Sequence, residues 1–222
     1  MTTFLLLRHA HSTANDSGIL AGRLEGVTLS KTGKEQVRSL VAALKDQRID
    51  RIISSPLPRC LETIEGIASD RRKRIHLDPL FIEMDYGLWS GRKLKELVKE
   101  KSWKTIQSKP LSFTFPQGES FARTASRVER GLKSLVRNYP DETILIVSHG
   151  DIIKFALQLS NGGPLDNFQR FVVDTCSLSE IHWTAKSRTV VRANARIAKK
   201  GIAKRKVNKI KHRRVIGGGA GV

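Results

Sequence analysis

Apolar residues in this chain fall into two patterns, short unbroken runs and longer stripes at helical spacing, and the two alternate. Phe4–Leu7 and Thr143–Val147 are near-continuous apolar runs, the pattern of strands buried on both faces. Shorter runs at Arg51–Ser54 and Ile75–Leu77, and two late segments at 178–183 and 189–192, predict further strands. Val37, Leu40, Val41 and Leu44 recur at helical spacing behind Thr32-Gly33-Lys34-Glu35, which reads as a capping box. Leu61, Ile64 and Ala68 form a second stripe opened by Ser55-Pro56. A third, Phe121 to Leu135, follows Pro116-Gln117-Gly118-Glu119-Ser120, and a fourth helix runs from Asp151 to Ser160 before the Gly162-Gly163-Pro164 break. Lys93–Lys101 reads as a short charged helix after a glycine-bearing loop at 83–91. Strands alternating with helices predict an α/β three-layer sandwich, a mixed and mainly parallel sheet with helices on both faces.

Both long apolar runs end in chemistry. The first passes into Arg8-His9-Ala10-His11-Ser12 and the second into Ser148-His149-Gly150. Ligands of open α/β sheets bind beyond the carboxyl ends of the strands, so the pattern directs His9 and His149 to one site. A neutral imidazole is a competent nucleophile near neutral pH, and arginine neutralises the oxygens of a transferring phosphoryl group. The combination points to phosphoryl chemistry that needs no metal.

Four ordered motifs sharpen this: Arg8-His9-Ala10 followed by Asn15, then Ser54-Ser55-Pro56-Leu57-Pro58-Arg59, then Glu83-Met84-Asp85-Tyr86-Gly87, then Ser148-His149-Gly150. In these the chain resembles the histidine phosphatase superfamily, also called phosphoglycerate-mutase-like, over roughly Thr3 to Ala198. The resemblance implies that His9 accepts the phosphoryl group while Arg8 and Arg59 clamp its oxygens, Arg59 from the first turn of a helix. Glu83 becomes the general acid and base. Asp85 competes for that role, but the family places the acid at the first position of Glu-x-x-aromatic-Gly. His149 becomes a charged or hydrogen-bonding partner of the transferred group, Gly150 a point of close backbone approach, and Asn15 a donor from the pocket wall. Ser12, Arg23 and the Gly118-Glu119-Ser120 turn are further expected substrate contacts. His11 and Thr13 receive no role, and His76, His182 and His212 are expected to be structural or exposed. No histidine-carboxylate spacing suggests a metal, so no cofactor is expected. Many members carry glycine where this chain has Ala10, which requires no positive φ there.

The implied reaction is phosphomonoester hydrolysis through a phosphohistidine, with a small phosphorylated metabolite as substrate. The alternative within the family is a bisphosphoglycerate-dependent phosphoglycerate mutase. Those relatives follow the acid with an arginine and a further aromatic or histidine, and hold an arginine pair in a long insertion; here Met84 and Asp85 follow Glu83, and Arg71-Arg72 precede it. An alternative of another class is a polyanion-binding protein with a retired catalytic domain. The completeness of Arg8, His9, Arg59, Glu83 and His149 argues against it.

Composition adds a tail to this picture. The 222 residues carry a net charge of +19, unevenly placed. Residues 186–222 hold 13 Lys and Arg and no acid, leaving 27 basic against 21 acidic residues, or +6, in residues 1–185. This divides the chain into a catalytic domain, 1–198, and a basic C-terminal tail, 199–222. Such a tail is either an arm for nucleic acid or another polyanion, or a solubilising extension. Two cysteines, Cys60 and Cys176, read as buried thiols, which fits a reducing cytoplasm. Phe4–Leu7 meets Arg8 too soon for a signal peptide, and no long apolar span predicts a membrane crossing. The oligomeric state is not legible.

Overall fold

A computed structural model describes residues 1–198 and 201–202. One sheet of six strands organises them, in the order β3-β2-β4-β1-β5-β6. The strands are β1 (Thr2–Arg8), β2 (Arg51–Ser54), β3 (Ile75–Leu77), β4 (Thr143–Ser148), β5 (Leu178–Trp183) and β6 (Arg188–Ala195). The first four are mutually parallel, and β5 and β6 add an antiparallel edge.

The period-2 geometry of a strand sends successive side chains to opposite faces, and both faces of the central strands are covered. Phe4 and Leu6 of β1 and Ile144 and Ile146 of β4 join one apolar cluster with helices α6 (Phe121–Asn138) and α7 (Gly150–Asn161). Leu5, Leu7, Leu145 and Val147 join another with α2 (Lys31–Ala43) and α3 (Pro58–Asp70). This is why β1 and β4 are apolar without alternation, and it is the expected three-layer α/β sandwich. Short helices α1 (Thr13–Asp16), α4 (Leu94–Leu97) and α5 (Trp103–Ser108) lie in the connections.

Three local expectations move. The cap of α2 is Ser30, whose hydroxyl accepts from the Gly33 amide, so Thr32 already lies inside the helix. Ser30 is fixed by its own amide donating to the His11 carbonyl, a tertiary contact. A Cβ on Gly33 would come within 2.0 Å of the same carbonyl, so glycine is what lets α2 approach the loop behind His9. Lys93–Lys101 is not one helix: α4 stops at Leu97, and α5 then begins at Trp103. The chain must turn because Leu97 and Ile106 both reach the core. Helix α3 starts at Pro58, with Leu57 as its cap, two residues beyond Pro56.

After β6, β7 (Ile197–Ala198) pairs antiparallel with β8 (Gly201–Ile202), across the boundary placed at 198/199. The remainder of the basic tail, with His212, lies outside the described residues. Cys60 and Cys176 are buried free thiols, and burial pushes each pKa up to about 12. No helix among the described residues is long and apolar enough to cross a membrane.

Candidate active site

The parallel pairing of β1 and β4 builds the centre of the site. Leu7 sits opposite Val147 and Arg8 opposite Ser148, so His9 and His149 leave the sheet side by side. Their ring centroids are 5.3 Å apart. The His9 amide donates to the Ser148 carbonyl at 2.9 Å, which ties the two strand exits together.

His9 and His149 differ in how their nitrogens are used. His9 Nδ1 lies 2.7 Å from the Ala10 carbonyl, which can only accept, so Nδ1 carries the proton and Nε2 keeps its lone pair. Burial first, and then Arg59 and Arg8, hold the His9 pKa well below the usual imidazole range. His149 Nδ1 lies 3.2 Å from Arg59 Nη2, a donor, and its Nε2 lies 2.7 Å from Ser55 Oγ. That arrangement fixes a neutral ring whose Nε2–H donates to Ser55. Burial, then Arg59, hold its pKa down as well.

Both arginines are fully buried cations. Arg8 donates from Nη1 to the Val173 carbonyl at 2.7 Å. Arg59, in the first turn of α3 as expected, donates from Nη2 to the Gly22 carbonyl at 2.9 Å. Its Nε and Nη1 are buried without a hydrogen-bond partner among the described residues. Buried donors are normally satisfied, so these two call for acceptors the described residues do not supply, and the oxygens of a phosphate are acceptors of the right charge.

Glu83 reaches the same cleft on the loop after a turn of 3₁₀ helix at Pro79–Phe81. Its Oε1 accepts from the Met84 amide at 2.9 Å, and its Oε2 is 3.9 Å from His149 Nδ1. Burial, followed by the charge of Asp151, pushes its carboxyl up to about 7 against the opposing pull of Arg59 and Arg8. The loop is held by its backbone: the Glu83 carbonyl accepts from Arg23 Nε at 2.8 Å and from Arg127 Nη2 at 3.3 Å. Gly87 ends the motif with φ +51°, and a Cβ there would lie 2.0 Å from the Pro116 carbonyl. Asp85 turns away from the cleft to cap the Gly87 amide and face Arg23, its side chain 42% exposed. The geometry therefore separates the two carboxylates: Glu83 lines the cleft and Asp85 does not.

The cleft, about 30 Å³, is lined by Arg8, His9, Ser12, Asn15, Arg59, Glu83 and Tyr86 together with small and aliphatic residues. Ser12 and Asn15 cap α1 reciprocally: Asn15 Oδ1 accepts from the Ser12 amide and hydroxyl, and Ser12 Oγ accepts from the Asn15 amide. The cap occupies the carbonyl side of Asn15 and leaves its NH2 as a donor. Gly150 opens α7 and lies outside the cleft lining. Arg23 also lies outside it, engaged by the Glu83 carbonyl and by Glu119 at 3.1 Å. Glu119 is buried against Arg127, and Ser120 caps α6, so the 118–120 turn braces the loop instead of lining the cleft.

Sequence reasoning passed over Tyr86, Asp151 and Lys154. Tyr86 donates its hydroxyl to Asp151 Oδ2 at 2.8 Å, and Lys154 Nζ stands 3.3 Å from Asp151 Oδ1, all fully buried. The available signal, for Asp151 and Lys154, was a pair of opposite charges at positions i and i+3 of an otherwise uncharged helix. Among the described residues no group of three or more His, Cys, Asp or Glu could hold a metal ion.

The model of the histidine phosphatase superfamily (branch 1) matches residues 4–196. The chain belongs to that superfamily. It is 30% identical over 196 residues to phosphoserine phosphatase 1 of Hydrogenobacter thermophilus, covering 87% of this chain and 92% of that one. Among solved structures, the alpha-ribazole phosphatase of Shigella flexneri superposes with a TM-score of 0.78 at 28% identity, covering 92% of this chain and all of the other. Phosphoserine phosphatase of Entamoeba histolytica, in complex with 3-phosphoglyceric acid, gives 0.79 at 26% identity, covering 88% and 98%. Motifs, fold and relatives agree on a phosphatase-type enzyme of this superfamily.

Proposed function

We propose that the protein hydrolyses phosphate monoesters of small metabolites through a phosphohistidine on His9, with no metal in the reaction. The observation that carries this is Arg59, which lines the cleft together with His9 and whose buried Nε and Nη1 have no partner among the described residues, while His9 Nε2 keeps its lone pair. A phosphate there satisfies the guanidinium and lies against the nucleophile.

In the first step His9 Nε2 attacks phosphorus, the ester P–O bond breaks, and the leaving oxygen takes the proton of Glu83. The Ala10 carbonyl accepts from Nδ1–H and stabilises the positive charge the ring acquires. Arg8 and Arg59 meet the charge of the equatorial oxygens, the task a metal performs elsewhere. In the second step Glu83, now ionised, takes a proton from water, the water oxygen bonds to phosphorus, and the P–N bond breaks to restore neutral His9. A carboxyl near 7 suits both halves, protonated for the first and basic for the second. Asn15 positions the group, with Ser12 acting through Asn15 and His149 through Arg59, while Arg23 and Gly150 act at one remove, bracing the Glu83 loop and opening α7. Incubation with a labelled monoester should yield acid-labile, base-stable phosphate on the protein, absent in His9→Ala, and EDTA should leave turnover intact. Label persisting in His9→Ala, or inhibition by EDTA that added metal reverses, overturns the mechanism.

The tail supports a second activity. Residues 199–222 carry nine Lys and Arg and no acid, which favours a phosphate-bearing polymer, and the catalytic part, 1–198, contains every proposed site residue. Binding to duplex DNA should weaken with salt by about −0.9 in log K per log salt for each phosphate engaged. Deleting residues 203–222 should remove that binding; equal affinity in the shortened chain overturns the reading.

A further inference from the structure

The charged groups of the cleft are all claimed by the phosphoryl group and its proton: Arg8 and Arg59 by oxygen, His9 by phosphorus, Glu83 by the leaving atom. Ser12 and Asn15 are tied to each other in the cap of α1, with only the Asn15 NH2 left to face the phosphoryl group; the remaining wall is Ala14, Gly18, Ile19, Leu20, Ala21, Gly22 and Leu94, with the ring of Tyr86. The nearby arginines and Lys154 are already engaged. Arg23 serves the Glu83 carbonyl, Glu119 and Asp85. Arg127 grips Glu119 through Nε and Nη2. Lys154 faces Asp151, and Arg92 pairs with Glu100. Lys93 is exposed beside Leu94 and takes no part in the lining.

A leaving alcohol that carried a carboxylate would therefore bring a second negative charge against aliphatic carbon and Glu83, with no guanidinium or ammonium left to meet it. Taking an ion out of water without a partner is heavily unfavourable. We propose that this cleft selects monoesters of uncharged alcohols and discriminates against phosphorylated carboxylic acids. The inference rests on the phosphatase reading. It also accounts for why the substrate-carboxylate residues expected of a mutase are missing after Glu83.

Glycerol 3-phosphate and 3-phosphoglycerate isolate the question, because they differ only in CH2OH against carboxylate and both leave as a primary alkoxide that needs the Glu83 proton. With the full chain, kcat/KM should favour glycerol 3-phosphate by about tenfold or more, since an unpaired charge is rejected more strongly than a missing methylene. Leu94→Arg, which supplies a cation at the wall, should raise the relative use of 3-phosphoglycerate. Comparable use of the two esters by the wild type, a preference for the acid, or turnover of p-nitrophenyl phosphate with neither C3 ester accepted would overturn the selectivity while leaving the phosphatase reading in place. Failure on all three substrates would instead remove the phosphatase reading on which it rests.

Discussion

His9 and His149 follow the ends of adjacent parallel strands and lie 5.3 Å apart, yet their surroundings give them different chemistry. His9 spends one nitrogen on a backbone carbonyl and keeps the other. His149 spends both, on Arg59 and Ser55. A ring with one nitrogen committed to a pure acceptor is fitted to act as a nucleophile of fixed tautomer; a ring held at both ends is fitted to orient Arg59 as a rigid spacer. Burial depresses the basicity of both, so the distinction comes from hydrogen-bond partners and not from titration.

The largest effect should come from removing the free lone pair. His9→Ala should reduce steady-state turnover by about 10⁴-fold or more and remove the phosphoenzyme, because no other group can form the covalent intermediate. His149→Gln should cost less, about 10²- to 10³-fold, and should still label on His9, since it disturbs electrostatic positioning without removing the nucleophile. Rapid-quench labelling of both variants tests the comparison directly, and a phosphoenzyme surviving in His9→Ala but lost in His149→Gln would reverse it.

Glu83→Gln should slow alkyl monoesters by about 10²-fold and affect aryl esters less in the phosphorylation step, because a nitrophenolate leaves without a proton. The pH dependence has a defined sign. With the carboxyl pushed up to about 7 from an ordinary 4.5, kcat/KM for an alkyl ester should fall as pH rises above about 7 and the acid form is lost. The same shift means that the buried neutral acid stabilises the fold fully below about pH 4.5 and that this contribution is lost as pH rises through 7. Glu83→Gln has no proton to lose, so its Tm should gain on the wild type above pH 7.

The smallest expected effect belongs to Asp151, whose charge is the second cause of the Glu83 shift. Asp151→Asn should move the alkaline limb of the pH profile to lower pH while leaving the phosphoenzyme on His9. An unmoved limb would show that burial alone sets the Glu83 carboxyl.

Much of this was legible before the structure. The strand order was not, but the positions of Arg8, His9, Arg59, Glu83 and His149 at strand ends, a helix start and a loop were, because apolar runs and breaker residues are local signals. The cap at Ser30 and the break after Leu97 were misplaced because each is decided by a distant partner, the His11 carbonyl in one case and the shared core of Leu97 and Ile106 in the other. Tyr86 and Asp151 received no role because their hydrogen bond joins a loop to a helix 65 residues away, and Lys154 follows from Asp151.

The sequence by itself determined which residues reach the carboxyl edge of the sheet, since unbroken apolar runs commit β1 and β4 to the buried centre and the polar residues that follow must emerge together. Only the tertiary structure decided what each then does. The tautomer of His9 depends on the position of the Ala10 carbonyl, the role of His149 on an arginine 90 residues away, and the acidity of Glu83 on burial beside Asp151. Hydrogen-bond direction and desolvation are properties of packed neighbours, and no spacing along a chain encodes them.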